Sequence, residues 1–119
     1  MALDIRLKRV YEQANKQDGK RILVERLWPR GLKKEDANID DWLKDIAPST
    51  DLRKWFAHDP EKWEQFKKKY WRELDKNNAA VEQILELCSN GPVTFLFAAR
   101  KIEHNNAVAL KEYLLSHNG

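Results

Sequence analysis

One cysteine, Cys88, stands among 119 residues. A lone thiol cannot form an internal disulfide framework, nor can it build a zinc site. The three histidines, His58, His104 and His117, fall at no metal-ligand spacing. No metal and no cofactor is expected. No apolar run approaches the roughly 20 residues that a membrane span needs, and Met1–Arg6 carries no signal-peptide core. Glycine and proline are sparse, four of each, and none builds a phosphate loop of Walker or Rossmann type. These absences exclude disulfide scaffolds, membrane spans and the common nucleotide-loop enzymes. They point to a reducing, cytoplasmic setting.

What is present is a globular balance. Hydrophobic residues make up 42% and charged residues 34%, and the length suits one domain over residues 1–119 with one core. Five tryptophans supply large buried surfaces for so short a chain. The formal charge is +3, unevenly spread. Residues 1–34 hold 10 Lys/Arg against 4 Asp/Glu, whereas the remainder holds 12 against 15. A basic amino-terminal third can attract an anionic partner. It can equally be the solvated edge of polar strands.

Residues 4–11 alternate with period two, Ile5, Leu7 and Tyr11 on one side and Arg6, Lys8 and Val10 on the other, which predicts a strand. Ile22-Leu23-Val24 opens a second strand over 21–28, covered on both faces and ended by Trp28-Pro29-Arg30-Gly31. Ile39, Trp42, Leu43 and Ile46 have the spacing of a short amphipathic helix. Ser49 or Thr50 can cap the next, carrying Leu52, Trp55 and Phe56. Asp59-Pro60 starts a third, with Trp63, Phe66, Tyr70 and Leu74 on one face. Val81, Ile84, Leu85 and Cys88 mark a fourth. Val93–Ala99 is a buried strand, and a last helix spans about 104–117. The expected fold is α/β: a small, mostly parallel sheet of about three strands flanked by helices, with a helical insertion between the second and third. A linker of about ten residues between the first two strands suggests a hairpin by default.

Two strand ends carry the candidate chemistry. In Glu25-Arg26-Leu27-Trp28-Pro29-Arg30-Gly31, opposite charges sit at the carboxyl end of a strand whose beginning is apolar. Buried charges are costly unless paired, and in open α/β sheets this edge faces the ligand crevice. The bland reading is that Glu25 and Arg26 pair with other residues to fix strand register. The later strand ends in Ala98-Ala99-Arg100-Lys101, followed by His104-Asn105 at a helix start, a plausible anion pocket. If the strands are parallel, Arg26, Arg30, Arg100 and His104 converge at one edge. Elsewhere, Asp59 reads as a cap beside His58, Cys88 as a core thiol, and Lys67-Lys68-Lys69 as a solvated helix face.

Arg9-Val10-Tyr11, Arg26-Leu27-Trp28-Pro29-Arg30-Gly31, Ala47-Pro48-Ser49-Thr50, Leu52-Arg53-Lys54-Trp55-Phe56 and the stretch from Ala98-Ala99-Arg100 to His104-Asn105 resemble, in order and spacing, the YeaO-like group of the domain-of-unknown-function 488 family. The resemblance runs almost end to end. It implies a compact α/β domain whose first two strands are parallel, and it supplies no activity. Glu25 stands where relatives are expected to carry aspartate. Lys101 and Asn106 stand where they are expected to carry aspartate and histidine.

The expected function is binding of an anion or phosphate, on a nucleotide or a nucleic acid. Arg26, Arg30 and Arg100 would hold the anion through bidentate forks, with Trp28 and Asn105 completing the ligand set. Glu25 or His104 would serve as general base or acid; whether there is any turnover stays open. The alternatives are a non-catalytic nucleic-acid-binding module using the same cluster, and a protein-interaction domain anchored by an exposed Trp28. A helix-turn-helix fits poorly, because the basic residues gather near strands.

Overall fold

Val93–Phe97 (β4) is buried at all five positions. A strand of this kind belongs at the centre of a sheet covered on both faces, and that is where it lies. In the computed structural model, which describes residues 3–117 without the side chain of His117, β4 pairs on one side with Ile5–Arg9 (β1) and on the other with Lys20–Leu23 (β2). A two-residue strand, Asp41–Trp42 (β3), adds to the far side of β2. The order is β1-β4-β2-β3 and every pairing is parallel.

The α/β expectation holds, with four strands rather than about three. The hairpin default does not. β1 and β2 are parallel and separated by β4, so a ten-residue connection crosses the foot of the central strand. Asp18 makes so short a crossing stable. Its carboxylate takes Nη1 of Arg21 at 2.6 Å and Nζ of Lys8 at 3.2 Å, and its carbonyl accepts the Thr94 hydroxyl at 2.7 Å. Gly19 follows at φ +65, and a β-carbon there would sit 2.1 Å from the Pro92 carbonyl oxygen. Only glycine allows this passage.

The main core lies on one face of the sheet. Ile5, Ile22, Val93, Phe95 and Phe97 meet the apolar faces of Thr50–Phe56 (α2), Trp63–Asp75 (α3), Asn78–Ser89 (α4) and Asn106–His117 (α5). As the spacing predicts, Trp63, Phe66, Tyr70 and Leu74 are all buried. A smaller cluster of Val10, Leu23 and Leu96, with Trp28, Leu32, Ile39 and Trp42 against it, covers the other face. The segment 28–42, with the four-residue helix Lys34–Ala37 (α1), forms that cover. Val10 is therefore buried, while Tyr11 stays 43% exposed.

Two elements depart from the sequence pattern. Residues 39–46 form β3 and a 3-10 turn, Lys44–Ile46, in place of a helix. The open edge of β2 captures this segment: Asp40 and Leu43 donate to the Arg21 and Leu23 carbonyls at 2.8 and 3.0 Å. The apolar side chains then divide, Trp42 packing edge-on against Trp28 and Ile46 entering the main core. The second strand ends at Leu23, not at 28. Val24 still donates to the Leu96 carbonyl at 3.2 Å, after which the chain leaves the ladder and frees Glu25 to turn inward.

Candidate functional site

Because β2 and β4 are parallel neighbours, the residues that follow them emerge at the same edge of the sheet. Beside that edge lies a cavity of about 410 Å³, lined by Glu25, Leu27, Pro48, Thr50, Arg53, Lys54, Phe56, His58, Phe66, Ala98, Ala99, Asn105 and Asn106. Its walls are chiefly apolar, and its polar groups come from four places: Glu25 after β2, one flank of α2, His58 on the turn after α2, and the start of α5.

Each place is fixed by side chain–backbone bonds. One oxygen of Glu25 accepts the Ala98 N–H at 3.1 Å, and the Glu25 carbonyl accepts the Trp42 indole N–H at 2.6 Å. Ser49 caps α2 through its hydroxyl. It is held in turn by Glu73, which accepts the Ser49 N–H at 2.8 Å and its hydroxyl at 2.6 Å. Arg26 donates to the Ala47 and Pro48 carbonyls at 2.9 and 3.2 Å, so the strand end and the α2 entry form one unit. After α2 the chain turns through two left-handed residues, Ala57 and His58 (φ 47 and 58). That turn brings His58 beside Phe56, ring centroids 6.2 Å apart. At α5, the Asn105 side chain accepts the Val108 N–H at 3.1 Å and donates to the Lys101 carbonyl at 2.8 Å. Asn106 donates to the Val24 carbonyl at 2.7 Å.

Burial raises the Glu25 carboxyl above the usual range; the Ala98 N–H and the nearby Arg53 charge pull it back only in part. Neither Glu25 nor Arg26 has an ion-pair partner among the described residues; the Arg26 guanidinium is committed to the Ala47 and Pro48 carbonyls. Glu25 is the one carboxylate lining the cavity, beside the cations of Arg53 and Lys54. The arrangement suits binding of a partly apolar anion. Besides Glu25, His58 is the lining group able to take or give a proton.

Of the residues singled out from the sequence, Glu25 and Asn105 line the cavity and the others do not. Arg26 braces the α2 entry from behind. Arg30 and Arg100 are exposed at the same sheet edge, outside the lining; the Arg30 carbonyl accepts the Tyr11 hydroxyl at 2.8 Å. Trp28 is half-buried. It donates to the Leu32 carbonyl at 2.7 Å and packs on Trp42, so it is no exposed anchor. His104 packs at a tilt against Trp63, with centroids 4.9 Å apart. The lining residues that sequence reasoning missed are Arg53, Lys54, His58 and Asn106. The first two sit inside the Leu52-Arg53-Lys54-Trp55-Phe56 motif, on the α2 flank turned from Leu52, and that placement was the available signal. Among the described residues no group of three His, Cys, Asp or Glu side chains gathers to hold a metal ion.

The DUF488-N3i family, described as the "Inactive DUF488-N3 subclade", matches residues 4–118. The chain belongs to this family. It is 40% identical over 114 residues to the uncharacterized protein YeaO of Escherichia coli (strain K12), covering 96% of this chain and 99% of the relative. It is 38% identical over 110 residues to an uncharacterized protein of Mycobacterium tuberculosis (strain ATCC 25618 / H37Rv), covering 92% of each. No solved structure matches. The Escherichia coli relative bears out the YeaO-like resemblance, and the DUF488-N3i assignment narrows it to one subclade. No helix among the described residues is long and apolar enough to cross a membrane.

Proposed function

We propose that this DUF488-N3i domain binds a small phosphate-bearing organic ligand, of the nucleotide class, in the 410 Å³ cavity, and that it does so without turnover. The observation that carries the reading is the joining of Glu25, Arg53 and Lys54 in one apolar-walled space. Cavities of roughly 300–1,000 Å³ with apolar walls and a few convergent polar groups are typical small-molecule sites. Phe56, Phe66, Leu27 and Pro48 would flank a flat apolar body. The Glu25 carboxyl, one oxygen already engaged by Ala98, would take an N–H donor of the ligand on the other. Arg53 offers the planar fork that suits a phosphate, a role that the sequence suggests for Arg30 and Arg100. The absence of turnover rests on the single lining carboxylate and on the family's printed description as inactive.

The test is isothermal titration with nucleoside monophosphates, free ribose phosphate and inorganic phosphate. The expected result is binding of the monophosphates, and loss of about 10- to 100-fold in affinity in Arg53→Ala, as one charge-assisted hydrogen-bonding partner of roughly 1.5–3 kcal/mol is removed. Product analysis after overnight incubation should return the nucleotide intact. Equal affinity in wild type and Arg53→Ala would remove the cavity from the reading, and released base or phosphate would remove the non-catalytic half of it.

A further inference from the structure

The basic excess of residues 1–34 is the obvious candidate for an anionic partner, but the fold consumes much of it. Lys8 and Arg21 hold Asp18. Arg9 donates to the Ala98 and Ala99 carbonyls, Arg6 to the Gln17 carbonyl, and Arg26 to Ala47 and Pro48. A different set of cations carries no carboxylate partner among the described residues. From Lys62, which precedes α3, through Gln65, Lys69 and Arg72 on α3 to its cap Lys76, residues recur at intervals of three and four and so share one flank of the helix. Among the described residues none of these cations enters an ion pair. The carboxylates of α3 are engaged elsewhere than with these cations. Glu64 pairs with Lys67, which also reaches Glu112 on α5; Glu73 holds Ser49; Asp75 accepts the Tyr113 hydroxyl at 2.7 Å.

An aromatic ring is set into the same flank. Trp55 of α2 is half-buried, with the ammonium groups of Lys62 and Lys69 at 5.0 and 5.1 Å from its centroid. Lys62 is further anchored by the Trp55 carbonyl at 2.9 Å. Lys54, exposed beside Trp55, extends the positive surface along α2.

We propose that the flank running from Lys54 and Trp55 across Lys62, Lys69, Arg72 and Lys76 is a docking surface for single-stranded nucleic acid. An unpaired row of cations beside an aromatic ring is the combination that tracks a phosphodiester backbone and stacks a base. The 13 residues of α3 extend for about 20 Å, the length of about six nucleotides at duplex rise. A membrane surface fits less well. Interfacial helices insert an apolar face into lipid, and the apolar face of α3 is used by the core. A duplex could meet the lysines but could not present a base to Trp55. The surface meets the cavity at Lys54, but its row of cations on the α3 side lies outside the cavity lining, and the proposal stands whether or not the cavity holds a nucleotide.

The experiment is fluorescence anisotropy of a labelled 12-nucleotide oligothymidylate at 50 and 200 mM salt. Wild type is compared with Lys69→Gln/Arg72→Gln/Lys76→Gln and with Lys16→Gln/Lys33→Gln/Lys34→Gln, which loses the same charge from exposed positions elsewhere. The expected result is at least tenfold weaker binding for the α3 variant, with a salt slope smaller by about two, and less than threefold change for the control. Arg72→Gln alone, a solvent-facing change that leaves the core untouched, should weaken binding about threefold. Equal losses in the two triple variants would overturn the proposal. So would no binding by wild type at 50 mM salt, or tighter binding of a 12-base-pair duplex or of phosphatidylserine vesicles.

Discussion

Replacing Glu25 with glutamine should leave the protein at least as stable as before at neutral pH. An ion-pair role predicts the opposite, since removing one partner of a buried pair costs roughly 3–5 kcal/mol. The structure gives Glu25 no such partner: its bond is to the Ala98 N–H at 3.1 Å, which a glutamine carbonyl can equally accept. Burial raises the Glu25 carboxyl, against the smaller opposing effects of the Ala98 N–H and Arg53. The folded state thus holds a proton at pH values where the unfolded chain has released it. Stability therefore falls as pH rises from the ordinary carboxylate range through the raised folded value, and glutamine removes that loss. Glu25→Ala differs, because it deletes the acceptor as well. It should cost about 1 kcal/mol, or roughly 4 °C in melting temperature for a chain of this size. Thermal melts of the three proteins from pH 4 to 8 test this. Wild type and Glu25→Gln should converge at the acid end, with glutamine equal or higher at pH 7. A glutamine variant melting as low as alanine at pH 7 would refute the reasoning, because it would mean that the charge itself is held.

Gly19→Ala should cost at least about 3 kcal/mol, since it combines a positive φ with a β-carbon 2.1 Å from the Pro92 oxygen; chemical denaturation would show the shifted midpoint. Ala57 sits at the left-handed carboxyl cap of α2 with φ 47, so Ala57→Gly should raise stability by about 0.5–1 kcal/mol in the same assay. Burial alone would push Asp18 up, but the Asn15 N–H, Arg21 and Lys8 outweigh it and hold its carboxyl below the usual range. The stability that Asp18 contributes is thus present above the ordinary carboxylate range and lost as pH falls through the lowered value. Asp18→Asn should lose roughly 3 kcal/mol at neutral pH and show a flatter acid limb in a stability–pH curve.

The helices with one clear apolar stripe were legible in the sequence, because their spacing is set by the core they face. Trp63, Phe66, Tyr70 and Leu74 needed no further context. Residues 39–46 were not legible, because the same spacing serves a helix or an edge strand followed by a turn. The open edge of β2 decides between them, and that edge is a tertiary fact. Part of the cavity lining was legible too: Glu25 follows β2, and Asn105 stands at the start of α5, which follows β4. Its cations were not. Arg26, Arg30 and Arg100 are closest to the strand ends in sequence, yet a guanidinium is long enough to be spent on carbonyls or solvent. Arg53 and Lys54 reach the cavity only because Ser49, Glu73 and Arg26 fix where α2 begins. Strand order was hidden for a related reason, since one buried aspartate and one glycine let a ten-residue linker cross β4.

The central claim is that the ligand site is the cavity between Glu25 and α2. The most direct measurement is a ¹⁵N–¹H chemical-shift titration of the labelled protein with a nucleoside monophosphate. The account expects saturable shifts at the amides of Glu25, Arg53, Lys54, Ala98, Ala99 and Asn106, and at the Arg53 side-chain Nε–H. Shifts confined to Arg30, Arg100 and Lys101 at the outer edge, or no saturable shift at millimolar ligand, would contradict it.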